Sequence, residues 1–276
     1  MVHSALPKKL QRKVGRRTII RRLADKGYSP ERKINKSDPG VKLSKTRKSF
    51  GKKYRDWTTQ QWKNSLQGVG DIKEFTWYPK ELKPKFSQLR APWTYMTKAE
   101  KRLPAFVRPK RWFPKKAYRK AKKQKVFSIT TSNGQSLAFL VPKPWSTEVW
   151  AKEVKKRVAP FMKKAFPNLT SYTILLDGER LLHGPAAKAA FKSTNIKIFP
   201  NWPKYSPDLN PQENVWAWAE KDLRKRECRS DSFADFQKKV LVAVRAYPTS
   251  SKLKLVPSMA KRCALVVDKK GAMLKY

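Results

Sequence analysis

The chain has 276 residues, and its 65 Lys and Arg against 20 Asp and Glu give a net charge of +45. Hydrophobic residues make up 39% and aromatic residues 12%, which is too apolar for a disordered basic tail. No apolar run approaches the roughly 18 residues that a membrane span requires, and two cysteines are too few for a disulfide framework. We therefore expect neither a membrane protein nor a disulfide-stapled secreted protein, but a folded core that binds a polyanion.

The basic residues are concentrated in two segments. Residues 1–55 contain 19 Lys and Arg against three acids, and residues 80–125 contain 17 against two. Within the first segment, residues 14–28 have the pattern of a short amphipathic helix that ends near Gly27. A helix of this kind suits a DNA groove, although a solvated basic helix or a localisation signal explains the charge equally well. The candidate DNA-binding residues of this helix are Arg16, Arg17, Arg21 and Arg22.

The middle and end of the chain have the patterning of a folded core. A helix is predicted over Ser44–Tyr54, and two β-rich runs around Asn133-Gly134 predict a hairpin. The elements predicted after it are a helix over Ser146–Phe166, a strand over Ser171–Leu176, a helix over Pro185–Thr194, a strand over Ile196–Phe199, and helices over Asp231–Ala246 and Pro257–Asp268. This order predicts a mixed sheet covered by helices.

Residues 202–216 are the most informative stretch, with the sequence Trp-Pro-Lys-Tyr-Ser-Pro-Asp-Leu-Asn-Pro-Gln-Glu-Asn-Val-Trp. Its three prolines predict a rigid turn that leads into a helix, with Asn210 as N-cap and Pro211 at the first helical position. Glu213 follows the cap by three residues, so it is either a capping-box carboxylate or a metal ligand that the turn holds in place. The local pattern does not separate these two roles.

This stretch resembles the hallmark segment of mariner-like transposases, which have an Asp-Asp-Glu catalytic triad on a ribonuclease-H-like fold. The similarity includes Leu176-Asp177-Gly178, which resembles a catalytic strand end, and Thr18–Gly27, which resembles the recognition helix of the family's second helix-turn-helix. The resemblance implies an α/β fold: a ribonuclease-H-like mixed sheet flanked by helices, preceded by a basic helical arm that is a helix-turn-helix remnant. It places the arm at 1–63 and the catalytic domain at 64–276, with a basic aromatic insertion at about 80–125.

Carried over to this sequence, the resemblance makes Asp177 the second catalytic carboxylate and Glu213 the third. There are 35 residues between them, one more than is usual in the family, and we assign the surplus to Asn201. For the first carboxylate Asp71 is the best candidate and Glu74 the alternative, although the segment before Asp71 is a poorer strand than the family's.

Three further polar residues lie close to these positions in the sequence. By the family pattern, Asp208 belongs to the turn and is not a metal ligand. We interpret Glu179 and His183 as groups around the site or on the surface.

The chemistry that the resemblance implies explains why three acids are needed. Cutting and joining DNA takes two Mg²⁺ or Mn²⁺ ions, and hard cations of this kind prefer carboxylate oxygens and water. Three carboxylates that meet without metal repel one another, so at least one of them should have a raised pKa.

The segment 80–125 departs most from the family. It interleaves cations such as Lys110 and Arg111 with aromatic rings, a combination that suits stacking on bases and contact with phosphates. The alternative is a proline-punctuated loop whose rings pack on the core. We expect a mixture, with rings partly inward and cations on DNA.

The resulting prediction is a metal-dependent DNA transposase or endonuclease that is located in the nucleus, or in the nucleoid if bacterial. DNA is the expected partner, and such transposases usually act as homodimers. The alternative is a catalytically inactive, transposase-derived DNA-binding protein. A third hypothesis, a basic RNA-binding protein, conflicts with residues 202–216. Because the chain begins almost at the recognition helix, we expect weak recognition of transposon ends.

Overall fold

The computed structural model describes residues 16–32, 41–78, 93–96, 121–225 and 232–274. Its elements, in chain order, are α1 (Arg16–Asp25), β1 (Ser29–Arg32), α2 (Val41–Tyr54), α3 (Thr59–Ser65), β2 (Gly68–Trp77), β3 (Trp93–Met96), β4 (Lys122–Thr131), β5 (Ser136–Leu140), α4 (Thr147–Glu153), α5 (Ala159–Ala165), β6 (Tyr172–Leu176), α6 (Pro185–Ser193), β7 (Ile196–Ile198), α7 (Gln212–Lys225), α8 (Phe233–Arg245), α9 (Thr249–Lys252) and α10 (Ser258–Asp268). No helix among these residues is long and apolar enough to cross a bilayer.

The described residues fall into two compact units. The smaller unit contains α1 and a two-stranded antiparallel ladder in which β1 pairs with β3. Helix α1 ends before Gly27, whose φ of 77° is the left-handed conformation that terminates many helices. The predicted short basic helix and its stop at Gly27 are thus confirmed.

The larger unit is built on a five-stranded mixed sheet with the strand order β5-β4-β2-β6-β7. Strands β5, β4 and β2 form an antiparallel meander, because β4 pairs antiparallel with both of its neighbours. Strand β6 then pairs in parallel with both β2 and β7. The hairpin predicted around Asn133-Gly134 is the β4–β5 pair, and the predicted mixed sheet is confirmed.

Strand β2 contains two glycines that weaken its sequence signal but are required by the packing. A Cβ on Gly70 would lie 2.8 Å from Leu176 Cδ2 and 3.2 Å from Phe127 Cζ. A Cβ on Gly68 would lie 3.0 Å from Ile129 Cδ1. Large side chains from β4 and β6 therefore occupy the space beside β2, and glycine is the residue that lets the three strands approach.

Helices cover both faces of the sheet. Because side chains alternate along a strand, Phe127 of β4 packs in a cluster with Trp150 of α4, whereas Val126 packs with Trp216 of α7 on the other face. A third cluster joins Phe50 of α2 to Leu175 of β6. Helix α2 therefore packs in the same core as the sheet. The predicted division between arm and catalytic domain at residue 63 stays a prediction.

The single helix predicted over Ser146–Phe166 is interrupted. Helices α4 and α5 are joined by a π-helical turn at Val154–Val158. Pro160 in the first turn of α5 has no N–H to donate to the preceding turn, which explains why the regular ladder of hydrogen bonds breaks here.

Candidate metal-binding site

Two of the predicted carboxylates lie side by side on neighbouring parallel strands. The parallel register of β2 and β6 ends with Gly70 opposite Leu176, and the next residues on the two strands are Asp71 and Asp177. Paired residues of parallel strands point to the same face of a sheet. Strand β2 continues beyond Asp71 to Trp77 as a partner of β4. Asp71 is therefore at the end of the β2–β6 pairing and not at the end of its strand.

Asp71 is buried, with 8% of its surface exposed, and is held by neutral donors. Its Oδ1 accepts a hydrogen bond of 2.7 Å from the Ile72 backbone N–H. Its Oδ2 accepts one of 3.0 Å from Trp216 Nε1 and one of 3.2 Å from Asn210 Nδ2. Both side-chain donors come from the segment that contains Glu213, so the start of α7 lies against Asp71.

The turn before α7 has the predicted capping geometry. Asn210 Oδ1 accepts a hydrogen bond of 3.1 Å from the Gln212 N–H, and the Asn210 carbonyl accepts one of 3.2 Å from the Glu213 N–H. A capping box would also need the Glu213 side chain to accept from the Asn210 N–H, but that N–H is donated to the carbonyls of Ser206 and Pro207. Capping of α7 is therefore achieved by Asn210, and Glu213 lies half-buried in the first turn.

The electrostatics of Asp71 link the three acids. The pKa of Asp71 is raised from 3.8 to about 7, mainly by burial and to a smaller extent by the negative charges of Glu213 and Asp177. The hydrogen bonds from Trp216 and the Ile72 backbone act in the opposite direction. Asp177 and Glu213, which come from distant parts of the chain, thus both lie within range of the Asp71 carboxylate. A raised pKa was expected from repulsion among the acids, and Asp71 has a raised pKa, but its largest cause is burial.

Asp177 is half-buried and its backbone is held by a histidine. Asp177 Oδ1 accepts a hydrogen bond of 2.7 Å from the Gly178 N–H. The Asp177 carbonyl lies 2.7 Å from His183 Nε2, which donates in the corresponding tautomer. Glu179 points elsewhere and accepts from Lys125 and from the Trp145 indole. His183 therefore supports the strand end that bears Asp177, and Glu179 is bound to its own partners.

The donor set suits a hard divalent cation in its chemistry, because it consists of carboxylate oxygens. Within the described ranges, however, no three His, Cys, Asp or Glu side chains are gathered closely enough to hold one metal ion. Three hydrogen bonds occupy most of the Asp71 carboxylate, and only Oδ1 retains a lone pair for a further ligand. The assignment of Asp71, Asp177 and Glu213 as metal ligands stays a prediction.

Two other acids considered from the sequence have structural contacts. Glu74 lies three residues after Asp71, on the opposite face of β2, and forms an exposed ion pair with Lys123. Asp208 forms a buried two-point ion pair with Arg47 of α2 and accepts from the Leu274 N–H. The placement of Asp208 in the turn is thus consistent with its contacts, and Glu74 is not part of the acid group.

Two residues that bond to these aspartates were not predicted to do so. Trp216 lies three residues after Glu213, which is one helical turn further along α7, and its indole N–H faces Asp71. That spacing was the available signal. Arg47 lies in the predicted helix over Ser44–Tyr54, but nothing local marks it as the partner of an aspartate 161 residues away.

Four of the six residues predicted to bind DNA lie on helix α1. Arg17, Arg21 and Arg22 lie exposed on α1, in the smaller unit. Arg16 begins the same helix. Lys110 and Arg111 lie outside the described residues. Their role in binding DNA stays a prediction.

A family model described as "DDE superfamily endonuclease" matches residues 96–236, which is more than half of the 276 residues. The chain belongs to this family. The matched range contains Asp177 and Glu213 and begins after Asp71. The resemblance to mariner-like transposases that the 202–216 segment indicated is thereby confirmed.

Transposases are among the curated relatives of the chain. The Tc1 transposase of Caenorhabditis elegans is 40% identical over 76 residues, which cover 28% of this chain and 27% of that protein. The Tcb2 transposase of Caenorhabditis briggsae is 30% identical over 128 residues, which cover 46% of this chain and 41% of that protein. The chain therefore matches less than half of the length of either relative.

Solved structures with a similar fold include the Mos1 strand transfer complex, with a TM-score of 0.61 and 15% identity over 96% of this chain and 73% of that chain. The catalytic domain of Mos1 mariner transposase gives a TM-score of 0.52 and 13% identity over 85% of this chain and 94% of that chain. At this identity the likeness concerns the fold. The predicted ribonuclease-H-like mixed sheet flanked by helices is confirmed.

Proposed function

We propose that this chain cuts and joins DNA strands in a divalent-metal-dependent reaction, with Asp71, Asp177 and Glu213 as the metal ligands. The observation that supports this proposal most strongly is the meeting of three chain segments at Asp71. Strand β6 brings Asp177 beside it, and the start of α7 brings Glu213. In a chain with a net charge of +45, the presence of two further acids within range of the buried Asp71 is not explained by a general excess of carboxylates.

The residues of the chain would have distinct roles in this reaction. The three carboxylates would bind Mg²⁺ or Mn²⁺, which when bound activates an attacking hydroxyl group and stabilises the leaving oxygen. Asn210 and Trp216 hold Asp71 from one side, which leaves Oδ1 as its free ligand atom. The structures of Mos1 catalytic domain described with Mn and with Mg support this choice of metals.

The alternative proposal is a DNA-binding protein of the same family that has lost catalysis. The observation that favours it is the spacing of the acids, since no three metal-ligating side chains in the described part of the chain are close enough to hold one ion. Activity with metal separates the two proposals directly.

The experiment is DNA cleavage by the purified chain with Mg²⁺ or Mn²⁺, compared with Asp71→Asn, Asp177→Asn and Glu213→Gln. We expect cleavage by the wild type and only background cleavage by the three variants. Glu220→Gln is the matched control, because Glu220 lies on the same helix as Glu213 but pairs with Lys73. Cleavage that is equal in all five proteins, or absent in the wild type while DNA binding persists, would contradict the catalytic proposal.

DNA binding itself would depend on the exposed cations of α1. Each phosphate contact releases counterions, so the affinity should fall steeply with salt. Replacing Arg21 and Arg22 by Gln should make the slope of log affinity against log salt shallower by about one for each phosphate that is no longer neutralised. An affinity that is insensitive to salt would contradict a role for this helix.

The assembly and location that fit this proposal are a homodimer and the nucleus, or the nucleoid if the chain is bacterial. Both follow from the family resemblance. Sedimentation of the chain with and without DNA would test the dimer.

A further inference from the structure

Asn210 connects Asp71 to the start of helix α7, which bears Glu213, through the two ends of its side-chain amide group. The side chain is buried, with 3% of the residue surface exposed. Its Oδ1 accepts from the Gln212 N–H at the start of α7, and its Nδ2 donates to Asp71 Oδ2. The Asn210 carbonyl also accepts from the Glu213 N–H.

Helix capping alone does not explain why this residue is asparagine. Asparagine, aspartate and serine are about equally good N-caps, because each offers an oxygen to the first free N–H groups of the helix. At this position aspartate would aim a negative charge at Asp71, and serine is too short to replace the amide donor. Asparagine is the residue that caps α7 and donates to a buried carboxylate at the same time.

The two contacts act on different ligands. The cap fixes the first turn of α7 and with it the backbone of Glu213, while the amide donor fixes the carboxylate of Asp71. A shift of Asn210 would therefore move the two acids relative to each other, even though Asn210 binds no metal itself.

We propose that Asn210 is a positioning residue that sets Asp71 and Glu213 in register for a divalent cation. The inference rests on the proposed function, since it assigns these two acids to the metal. Partners that orient a ligand in this way typically change metal affinity or activity by about 10- to 100-fold when they are removed.

The test separates positioning from capping. Asn210→Ser keeps the cap and removes the donor, whereas Asn210→Ala removes both. Ser232→Ala is the matched control, because Ser232 caps α8 through the Asp235 N–H. Mn²⁺ binding to the full chain without DNA is measured by electron paramagnetic resonance, together with the midpoint of thermal unfolding.

We expect Asn210→Ser to weaken Mn²⁺ binding about 10- to 100-fold and to lower the midpoint only through the loss of the hydrogen bond to Asp71, by less than Asn210→Ala does. Asn210→Ala should show the same loss of affinity together with a lower midpoint. Ser232→Ala should lower the midpoint and leave Mn²⁺ affinity unchanged. If Asn210→Ser binds Mn²⁺ like the wild type, Asn210 only caps the helix and the inference is wrong.

A second measurement decides the inference without metal. Asn210→Ser and Asp71→Ala are combined, and the midpoints of the two single variants and the double variant are compared. If the amide positions Asp71, the two shifts do not add, because both changes remove the same hydrogen bond. Additive shifts would overturn the inference. Wild-type protein that binds no Mn²⁺ but shows non-additive shifts would contradict the proposed function and leave the positioning role of Asn210 supported.

Discussion

Two aspartates with buried side chains, Asp208 and Asp71, have opposite electrostatic surroundings. Asp208 in the turn before α7 faces the guanidinium of Arg47, which is fully buried, and accepts a backbone N–H from Leu274. Asp71 on β2 accepts from neutral donors and has two acids within range of its charge. The cation that compensates Asp208 belongs to the chain. Among the described residues no cation bonds to Asp71, so it is the carboxylate that a bound metal ion would stabilise.

The largest change in the free energy of unfolding should come from removing the cation that pairs with Asp208. Arg47→Met leaves Asp208 buried without its counter-charge and removes bonds to the Gly271 and Ala272 carbonyls. Breaking a buried pair on one side costs about 3–5 kcal/mol of unfolding free energy. Chemical denaturation measures this change. The control is Arg55→Gln, whose partner Asp268 is exposed, with an expected change of less than about 0.5 kcal/mol. Equal effects of the two variants would show that burial of the pair does not matter.

The next largest change in the free energy of unfolding should come from Asp71→Asn, which should become more stable relative to the wild type as pH rises. The folded chain has a pKa of about 7 at Asp71 against an ordinary value of 3.8. It therefore keeps a proton that the unfolded chain has released, and the free energy of unfolding falls as pH rises through this window. Three units correspond to at most about 4 kcal/mol. Asp71→Asn does not titrate, so its stability relative to the wild type should rise between pH 4 and pH 8, as measured by denaturation across this range.

Divalent cations sharpen this prediction. At pH 8, Mg²⁺ should raise the stability of the wild type more than that of Asp71→Asn, because only the wild type gains a partner for the buried charge. If the free energies of unfolding of the wild type and Asp71→Asn differ by the same amount at every pH, the assignment of the raised pKa to Asp71 is wrong.

A smaller effect is expected at Trp216. Trp216→Phe keeps a ring against Phe75 and removes the indole N–H that faces Asp71. A hydrogen bond to a charged group contributes about 1.5–3 kcal/mol. Because this hydrogen bond lowers the pKa of Asp71, its loss should move the pH-dependent fall in stability to higher pH. Denaturation at several pH values measures both changes, and an unchanged profile would contradict the role of Trp216.

The smallest effect should come from Ser128, which lies opposite Asp71 on β4. Its hydroxyl is buried without a hydrogen-bond partner among the described residues. Ser128→Ala removes a polar group that is already desolvated, so the stability should stay the same or rise by less than about 1 kcal/mol. A fall in stability larger than this in denaturation experiments would show that Ser128 also supports Asp71.

The turn that contains Asp208 and the strand that contains Asp71 also differ in how far the sequence predicted them. The turn at 202–216 was predictable because prolines and an N-cap act locally, and the start of α7 and the capping role of Asn210 follow from that pattern. The position of Asp208 in the turn came from the family resemblance. Strand β2 was not predictable, because Gly68 and Gly70 lower its strand propensity. These glycines are required by the close approach of Phe127, Ile129 and Leu176 on other strands. The partners of Asp71 depend in the same way on register and on helix docking, which no local pattern encodes.

The most direct test of the metal site is the anomalous scattering of crystals of the chain soaked in Mn²⁺ at pH 8. We expect a peak within coordination distance of Asp71 Oδ1 together with Asp177 or Glu213. Crystals of Asp71→Asn should lose or weaken this peak. Ordered carboxylates with no peak between them, or a peak bound to other residues, would contradict the central claim.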